Sequence, residues 1–468
     1  MKKILLLLLA ITAFSCSTDD PKPEEIVEKA YTGNIVLKSQ IEVDAFVGQK
    51  YTEIKGYLTI GNTQSQSNEI TNISGLKNIR SVRSLLIINN SALNSLDGLT
   101  GLTEITDGNL EITDNAKIQN LKGLDNLQEI KGSVYISGND ALQNLSSLNK
   151  LSVMTGILSI TENKGLQALK GLGALKEIGA GINVSDNEKL VSLEGLESLK
   201  KVVFSLNIKR NNILETIKGL SGLETISQNV EITDNPILKD LNGLEKLSSI
   251  GQEVLIARNT QLKNVDGLKG LKTIGGSLYL RLNPALMNLD GLISLTSIEK
   301  GLEITNNSEG SLTSISGLKN LKSNNLTIRI AGTAITSLTG LNGITSANSI
   351  NINNNKNLKD LTGLENLTTV TLSLSILNNP IENLQGLSKL ASIDGNFSLS
   401  ETTKITNLDA LQNLTSVKGS INIYNNTMLT SFCGLKALLI KGLQYSFKAE
   451  GNAYNPSLQD VITDKCSK

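Results

Sequence analysis

One pattern of about two dozen residues fills most of this chain and limits what the chain can become. Its clearest copy is residues 121–142, LKGLDNLQEIKGSVYISGNDAL, which reads L-x-G-L-x-x-L-x-x-I-x-G-x-V-x-I-x-x-N-x-x-L. The anchor glycine of L-x-G-L recurs at Gly75, Gly98, Gly123, Gly171, Gly195, Gly219, Gly243, Gly267, Gly291, Gly317, Gly340, Gly363, Gly386 and Gly434, with Ser147 and Ala410 in the two vacant places. Successive spacings are 23 and 25, an unbroken run of 24, then 26, 23, 23, 23, 24 and 24. A unit this short cannot enclose a core of its own, so each must stack on its neighbours as one rung of a solenoid. A length of 468 residues would otherwise suggest several globular domains, but the period makes it one elongated domain.

Within a unit the apolar residues change period. Val134, Tyr135 and Ile136 alternate with period two, which predicts a short strand with Val134 and Ile136 inward and Tyr135 outward. Leu121, Leu124, Leu127 and Ile130 recur at every third residue, which suits an extended or 3₁₀-like coil feeding one apolar side. Gly123 and Gly132 fall where the coil turns, and a turn there asks for φ above zero. An asparagine closes each strand at Asn115, Asn139, Asn163, Asn187, Asn211, Asn235, Asn259, Asn283 and Asn307, then at Asn355 and Asn379, with Ala331 in the intervening place. Stacked amides can satisfy the backbone of the turn, and a row of ligand-binding amides is the other reading. Pro236, Pro284 and Pro380 follow such asparagines and mark a tight turn. The array is least regular between Gly291 and Gly363, where residues 306–311, NNSEGS, read as an insertion and a kink or looser rung is expected.

Composition narrows the chemistry. Lys plus Arg and Asp plus Glu both total 44, so no net field favours nucleic acid or an anionic membrane surface. With no tryptophan and 3% aromatic residues, the core must be layers of Leu and Ile. Histidine is absent, which removes Ser-His-Asp and Cys-His catalysis and every His-ligated metal site. No phosphate loop, CxxC pair or EF-hand spacing is present, and no cofactor is expected. Asp114, Asp186 and Asp234 each precede a ladder asparagine and could suggest a calcium row. The intervening rungs carry Gly138, Glu162, Arg210 and Arg258 in that place, so solvated surface is the better reading. Solenoid glycosidases work with carboxylates and need no histidine. No long insertion builds a cleft here, however, and the chain is read as a non-enzyme.

Residues 1–16, MKKILLLLLAITAFSC, place Lys2 and Lys3 before an apolar run that is too short for a stable span. This is a secretory signal. Residues 17–25, STDDPKPEE, are acidic and proline-bearing and read as a tether. In residues 33–60, Ile35 and Leu37 alternate as in a strand, while Ile41, Val43 and Phe46 could form one face of a short helix. An atypical opening is expected to cap the first rung. The organisation is therefore a signal at 1–15, a linker at 16–30, a cap and first rung at 31–72, the repeat array at 73–432, and a closing cap at 433–468.

The unit L-x-G-L-x-x-L-x-x-I-x-G-x-L-x-I-x-x-N resembles the receptor L-domain branch of the leucine-rich repeats. The opening VLKSQIEVDAFVGQKYTEIKGYLTI and the closing FCGLKALLI with GNAYNPSLQDVI resemble the end segments of surface lipoproteins of the Bacteroidota type. Cys16, directly after Ala13, Phe14 and Ser15, resembles a lipobox cysteine, and the acidic run behind it resembles a surface-export signal. The resemblance spans about residues 31–466. It implies an all-β fold, a parallel right-handed β-solenoid of about sixteen 23–26-residue repeats with a cap at each end. It also implies lipid on Cys16, with an outer-membrane lipoprotein exposed at the cell surface and touching the membrane through that lipid only. A cleaved signal with an incidental Cys16, and an acidic linker carrying no address, are the bland readings. If Cys16 carries lipid, Cys433 and Cys466 remain as an even pair in an exported chain, which favours a disulfide over two buried thiols.

The function expected is a non-catalytic binding or adhesion scaffold for an extracellular protein or glycan, acting as a monomer. A carbohydrate-acting β-solenoid enzyme and a purely structural spacer are the alternatives. Positions four, two and one before each ladder asparagine should form an outward ribbon. The N-terminal rungs offer Glu111, Asp114, Tyr135, Glu162 and Asp186, and the central rungs Lys209, Arg210, Arg258, Tyr279 and Arg281, so the face should change sign along its length. Tyr135, Lys209, Arg210, Arg258, Tyr279 and Arg281 are the binding candidates, with Arg258, Tyr279 and Arg281 as the hot spot. Ordinary solvated positions are the competing reading.

Overall fold

The computed structural model describes residues 27–62, 69–306, 310–441 and 445–468. The signal segment and Cys16 lie outside the described residues. The chain folds as an all-β parallel solenoid. Strand Leu110–Thr113 pairs in parallel with Val134–Ser137, and that strand with Leu158–Thr161. The ladder continues through Ile182–Ser185, Leu206–Lys209, Val230–Thr233, Val254–Ala257 and Ser277–Arg281. Each residue faces its counterpart one period later, as Val134 faces Leu158 and Leu158 faces Ile182. Backbone bonds therefore run between rungs, and every rung needs its neighbours.

The period-two reading holds residue by residue. Leu121, Leu124, Leu127, Ile130, Val134, Ile136 and Leu142 are all fully buried, while Tyr135 is half-buried on the other side of its strand. Full burial of each such side chain stabilises by at most about 1.5–3 kcal/mol, so the layer is the main favourable contribution.

The every-third-residue coil is richer than expected. Glu104–Ile105, Glu129–Ile130 and Val153–Met154 form a second parallel ladder of two-residue strands. It continues as a separate sheet from Glu177–Ile178 to Ser297–Ile298. The L-x-G-L turn takes two forms. Gly123, Gly171, Gly195, Gly243, Gly340 and Gly363 have φ between +112° and +125°, whereas Lys218–Leu220 and Asp266–Leu268 are single 3₁₀ turns. Ser147 and Ala410, the two non-glycine anchors, both sit in 3₁₀ turns, where an L side chain meets no φ penalty. Gly132 does not take a positive φ. A Cβ there would lie 2.0 Å from the Gly108 carbonyl oxygen, so its requirement is close approach of two backbones.

At the N-terminal end, strand Ile35–Leu37 and helix Gln40–Val47 lie where the sequence puts them. Ser39 caps the helix by accepting from the Glu42 N–H. Val43 is buried, but Ile41 is 81% exposed. Two residues apart on a helix point nearly opposite ways, so the two cannot share a face. Phe46 stacks on Tyr51, which Tyr31 meets edge-on.

At the C-terminal end the main ladder carries on beyond Gly434, with Phe447–Glu450 pairing in parallel with Ile421–Tyr424. Helices Lys436–Ile440 and Leu458–Ile462 close the apolar layer with Leu438, Leu439 and Val461, and a Ser457–Asp460 capping box starts the second. Cys433 and Cys466 are joined by a disulfide that closes 33 residues of chain. In the chain-entropy picture that loop contributes about 4 kcal/mol, and measured values often fall short. Cys433→Ala with Cys466→Ala is expected to cost about 2–4 kcal/mol and to open the closing helices to amide hydrogen exchange first. Unchanged protection of residues 458–462 would refute this role.

Candidate functional site

The strand end of each rung is fixed by a buried amide ladder. The backbone N–H of Asn139 donates to Asn163 Oδ1 at 3.1 Å. Asn139 Nδ2 donates to Ile112 O at 2.8 Å in the preceding rung and to Ser137 O at 3.0 Å in its own. Asn115, Asn139, Asn163, Asn187, Asn211, Asn235, Asn259 and Asn355 are all fully buried, so they serve the backbone and offer nothing to a ligand. In the irregular region two assignments change. Asn283 N–H donates to Asn306, not to Asn307, which lies outside the described residues. The next ladder place belongs to Thr333, whose N–H and hydroxyl both donate to Asn355 Oδ1, while Ala331 ends the strand before it. Counting forward by 24 slips there because the rungs change length. Register breaks lie between Leu326 and Thr327 and between Ala347 and Ser349, where the spacing suggested a looser rung.

The residue before each ladder asparagine is in a left-handed turn and outside the strand. Asp114, Glu162, Asp186, Arg210, Asp234, Arg258 and Leu282 have φ between 51° and 60°. The outward surface thus has two parts, a strand face from positions four and two before the asparagine and a turn edge beside it. On the strand face, Glu111 faces Tyr135, which faces Ser159. Burial raises the Glu111 carboxyl above its ordinary value, partly offset by a hydrogen bond with Thr113. Five strands separate Tyr135 from Tyr279, so the two do not share a patch.

Arg258 and Arg281 lie on adjacent rungs joined through the backbone, and Arg281 packs on Tyr279. Ala257 and Arg281 are register partners, and the Arg258 N–H donates to Arg281 O at 3.0 Å. The Arg281 guanidinium carbon lies 4.3 Å from the centroid of the Tyr279 ring. The sequence reading missed the carboxylates that hold these cations. Arg281 forms a two-pronged pair with Glu303 at 2.9 and 2.6 Å, Arg258 with Asp234 at 2.6 and 2.8 Å, and Arg210 with Asp186 at 2.7 and 2.8 Å. Lys209 pairs with Glu231 at 2.5 Å. The central rungs are accordingly charge-paired and form no positive stretch. The 24-residue separation of Asp186 from Arg210 and of Asp234 from Arg258 equals one rung, which is the signal that could have revealed those pairs.

Hydrogen bonds from Arg210 and Arg258 hold the Asp186 and Asp234 carboxyls below their ordinary value. A depressed folded pKa gives stability that is present above the unfolded carboxyl pKa of about 4 and lost as pH falls through the lower folded value. Both arginines are half exposed, so each pair is worth under about 1 kcal/mol. Arg258→Ala is therefore expected to change stability little at pH 7 and to flatten the acid limb below about pH 4, as read by urea unfolding across pH. An unaltered acid limb would count against the clamp.

Two recesses follow the turn edge. One of about 550 Å³ is lined by Asp234, Pro236, Arg258, Leu282 and Pro284. The larger, of about 860 Å³, crosses the irregular rungs past Arg329, Asn354, Lys356, Asn378 and Glu401. Among the described residues no group of three or more Cys, Asp or Glu is placed to hold a metal ion, and no helix is long and apolar enough to cross a membrane.

Residues 103–201 match the receptor L domain family model. No curated protein matches the chain. Among solved structures, an internalin from Listeria monocytogenes is similar at 15% identity and a TM-score of 0.33, over 87% of this chain and 88% of that one. TLR13, solved as a complex with ssRNA13, is similar at 15% identity and a TM-score of 0.28, over 86% of this chain and 66% of that one. The family match and the parallel ladder together give the fold its leucine-rich-repeat, receptor-L-like character.

Proposed function

We propose that this chain is a non-catalytic binding scaffold for an extracellular protein or glycan. It is carried at the cell surface as a lipoprotein anchored through Cys16, and it engages its partner with the outward strand face and the adjoining turn edge. The observation that carries this reading is the packing of Arg281 on Tyr279, with Arg258 one rung before it. Tyrosine and arginine are the side chains that most often supply interface energy. The carboxylate clamps fix the arginines in place, which reduces the side-chain entropy lost on binding. The receptor L domain match supports the same reading.

The test is a glycan and protein array probed with the full-length chain, followed by Arg258→Ala, Tyr279→Ala and Arg281→Ala combined. Attachment to the partner found is expected to weaken by about 2 kcal/mol or more, with circular dichroism unchanged. Undiminished attachment would exclude this patch.

A further inference from the structure

The larger recess has a structural origin in the interrupted ladder. Where earlier rungs carry Lys209 with Arg210, or Arg281 with Leu282, the rung ending at Thr333 carries Ala331 and Gly332. Both are buried and small, so the surface sinks there. The lining residues come from five successive rungs, those of strands Gly301–Thr305, Leu326–Ala331, Ser346–Asn353, Thr369–Leu377 and Phe397–Ser400. With strands about 4.8 Å apart, the result is a trough about 20 Å long running across the rungs.

The side chains along it carry unused hydrogen-bonding capacity. Asn378 Nδ2 donates to Asn354 Oδ1 at 2.7 Å. That leaves the Asn354 amide hydrogens and the Asn378 side-chain carbonyl with no partner among the described residues. Lys356 and Glu401 line the same trough, and neither has an ion pair among the described residues. Arg329 adds a further cation, 4.0 Å from Glu303. Donors thus lie in the inner rungs, at Arg329, Asn354 and Lys356, with the carboxylates of Glu303 and Glu401 in the first and last rungs of the trough.

We propose that this trough binds an extended, neutral, polyhydroxylated chain, that is, a linear glycan, lying across the rungs with about one sugar per rung. Hydroxyl groups donate and accept, so they satisfy the amide donors of Asn354 and the carbonyl of Asn378 alike. A polyanion would meet Glu303 and Glu401, and a polycation would meet Arg329 and Lys356. A peptide draws its affinity from apolar anchors in closed pockets, and this floor offers only Ala331 and Pro380. The rung spacing is comparable to one pyranose of an extended chain, so equivalent contacts repeat along the ligand. This inference rests on the reading of the chain as a binding scaffold, but not on the Arg258–Tyr279–Arg281 patch.

The full-length chain is titrated calorimetrically with linear β-1,4-glucan, β-1,4-mannan and β-1,3-glucan hexasaccharides, and with the matching trisaccharides. At least one hexasaccharide is expected to bind, and more tightly than its trisaccharide. Gly332→Leu should fill the floor and weaken binding about tenfold or more. The backbone of this turn accepts an L side chain, since Leu282 holds the same position at φ 55° against 65° for Gly332. Asn354→Ala with Asn378→Ala, both exposed, should weaken binding comparably with circular dichroism unchanged, at a small cost in melting temperature because both sit at positive φ, 56° and 52°. Arg258→Ala with Tyr279→Ala, which leaves the Arg281–Glu303 pair in place, should leave hexasaccharide binding intact, which separates this proposal from the patch. It is overturned if none of the three hexasaccharides binds, if both trough variants bind as tightly as the parent, or if they weaken capture only of peptides from a displayed library.

Discussion

Asn187→Ala is expected to destabilise the chain by about 3–5 kcal/mol, far more than an exposed asparagine would. Asn187 Oδ1 accepts from the Asn163 backbone N–H at 3.1 Å and from Asn163 Nδ2 at 3.3 Å. Its own Nδ2 donates to Ile160 O at 2.9 Å, to Ser185 O at 3.0 Å and to Asn211 Oδ1 at 3.3 Å. The side chain is fully buried, so alanine strands the Asn163 N–H and the Ile160 carbonyl away from water. Each group left in that state costs about 1–3 kcal/mol. Asn187→Asp keeps the acceptor but buries a charge and removes the donor, and it should be at least as harmful at pH 7. Equilibrium urea unfolding measures both. A loss under about 1 kcal/mol for alanine would show that water replaces the amide and that the ladder matters little.

Gly243→Ala is expected to cost about 4 kcal/mol, roughly twice the cost of Gly219→Ala one rung earlier. Gly243 has φ +118°, and a Cβ there would lie 2.4 Å from the Ile217 carbonyl oxygen. Gly219 would bring its Cβ to 1.9 Å from Leu193 O, but it sits in a 3₁₀ turn with ordinary φ. Ser147 and Ala410 show that rungs of that kind can shift to admit a side chain. At Gly243 the same shift leaves the dihedral strain in place. Thermal and urea unfolding of the two variants compare them directly, and equal losses would mean that close approach alone sets the requirement.

The fold was legible because a fixed period forces stacking, and because Val134 and Ile136 leave no doubt about which side of the strand is inward. The amide ladder was legible from its spacing where that spacing is constant. It failed at Asn306 and Thr333, because rung length changes in the bulged region and residue counting no longer tracks space. The second ladder of strands at Glu129–Ile130 and its equivalents was not legible, since two residues are too few to show a period. Of the candidate site, the sequence put Arg258, Tyr279 and Arg281 on neighbouring rungs but missed the carboxylates that pair with the two arginines. Arg281 and Glu303 are 22 residues apart because their contact is diagonal: Glu303 faces Tyr279 across a regular 24-residue step, so the pair lies two positions off the one-rung register. The trough was invisible for a similar reason. It arises from what Ala331 and Gly332 lack, and a missing side chain leaves no motif.

The threonines in the amide ladder bear on how force and fluctuation travel along the molecule. Among the described residues the relay of amides runs from Asn90 to Asn306, starts again at Thr333, and starts once more at Thr402, which donates to Asn426. A threonine hydroxyl can pass a hydrogen bond forward but has no amide group to reach back to the strand carbonyl of the rung before it. Hydrogen-bonded amides polarise one another along a row, so each uninterrupted row acts as a single stiff filament inside the Leu layers. At Thr333 and Thr402 the filament ends, and the junction is left to apolar packing, the strand ladders and surface contacts such as Glu303–Arg329 and Glu382–Lys404. The molecule is in this respect three rods laid end to end. Within the array these joints are where partial opening is expected to cost less than in the uninterrupted rows, and the first of them underlies the trough.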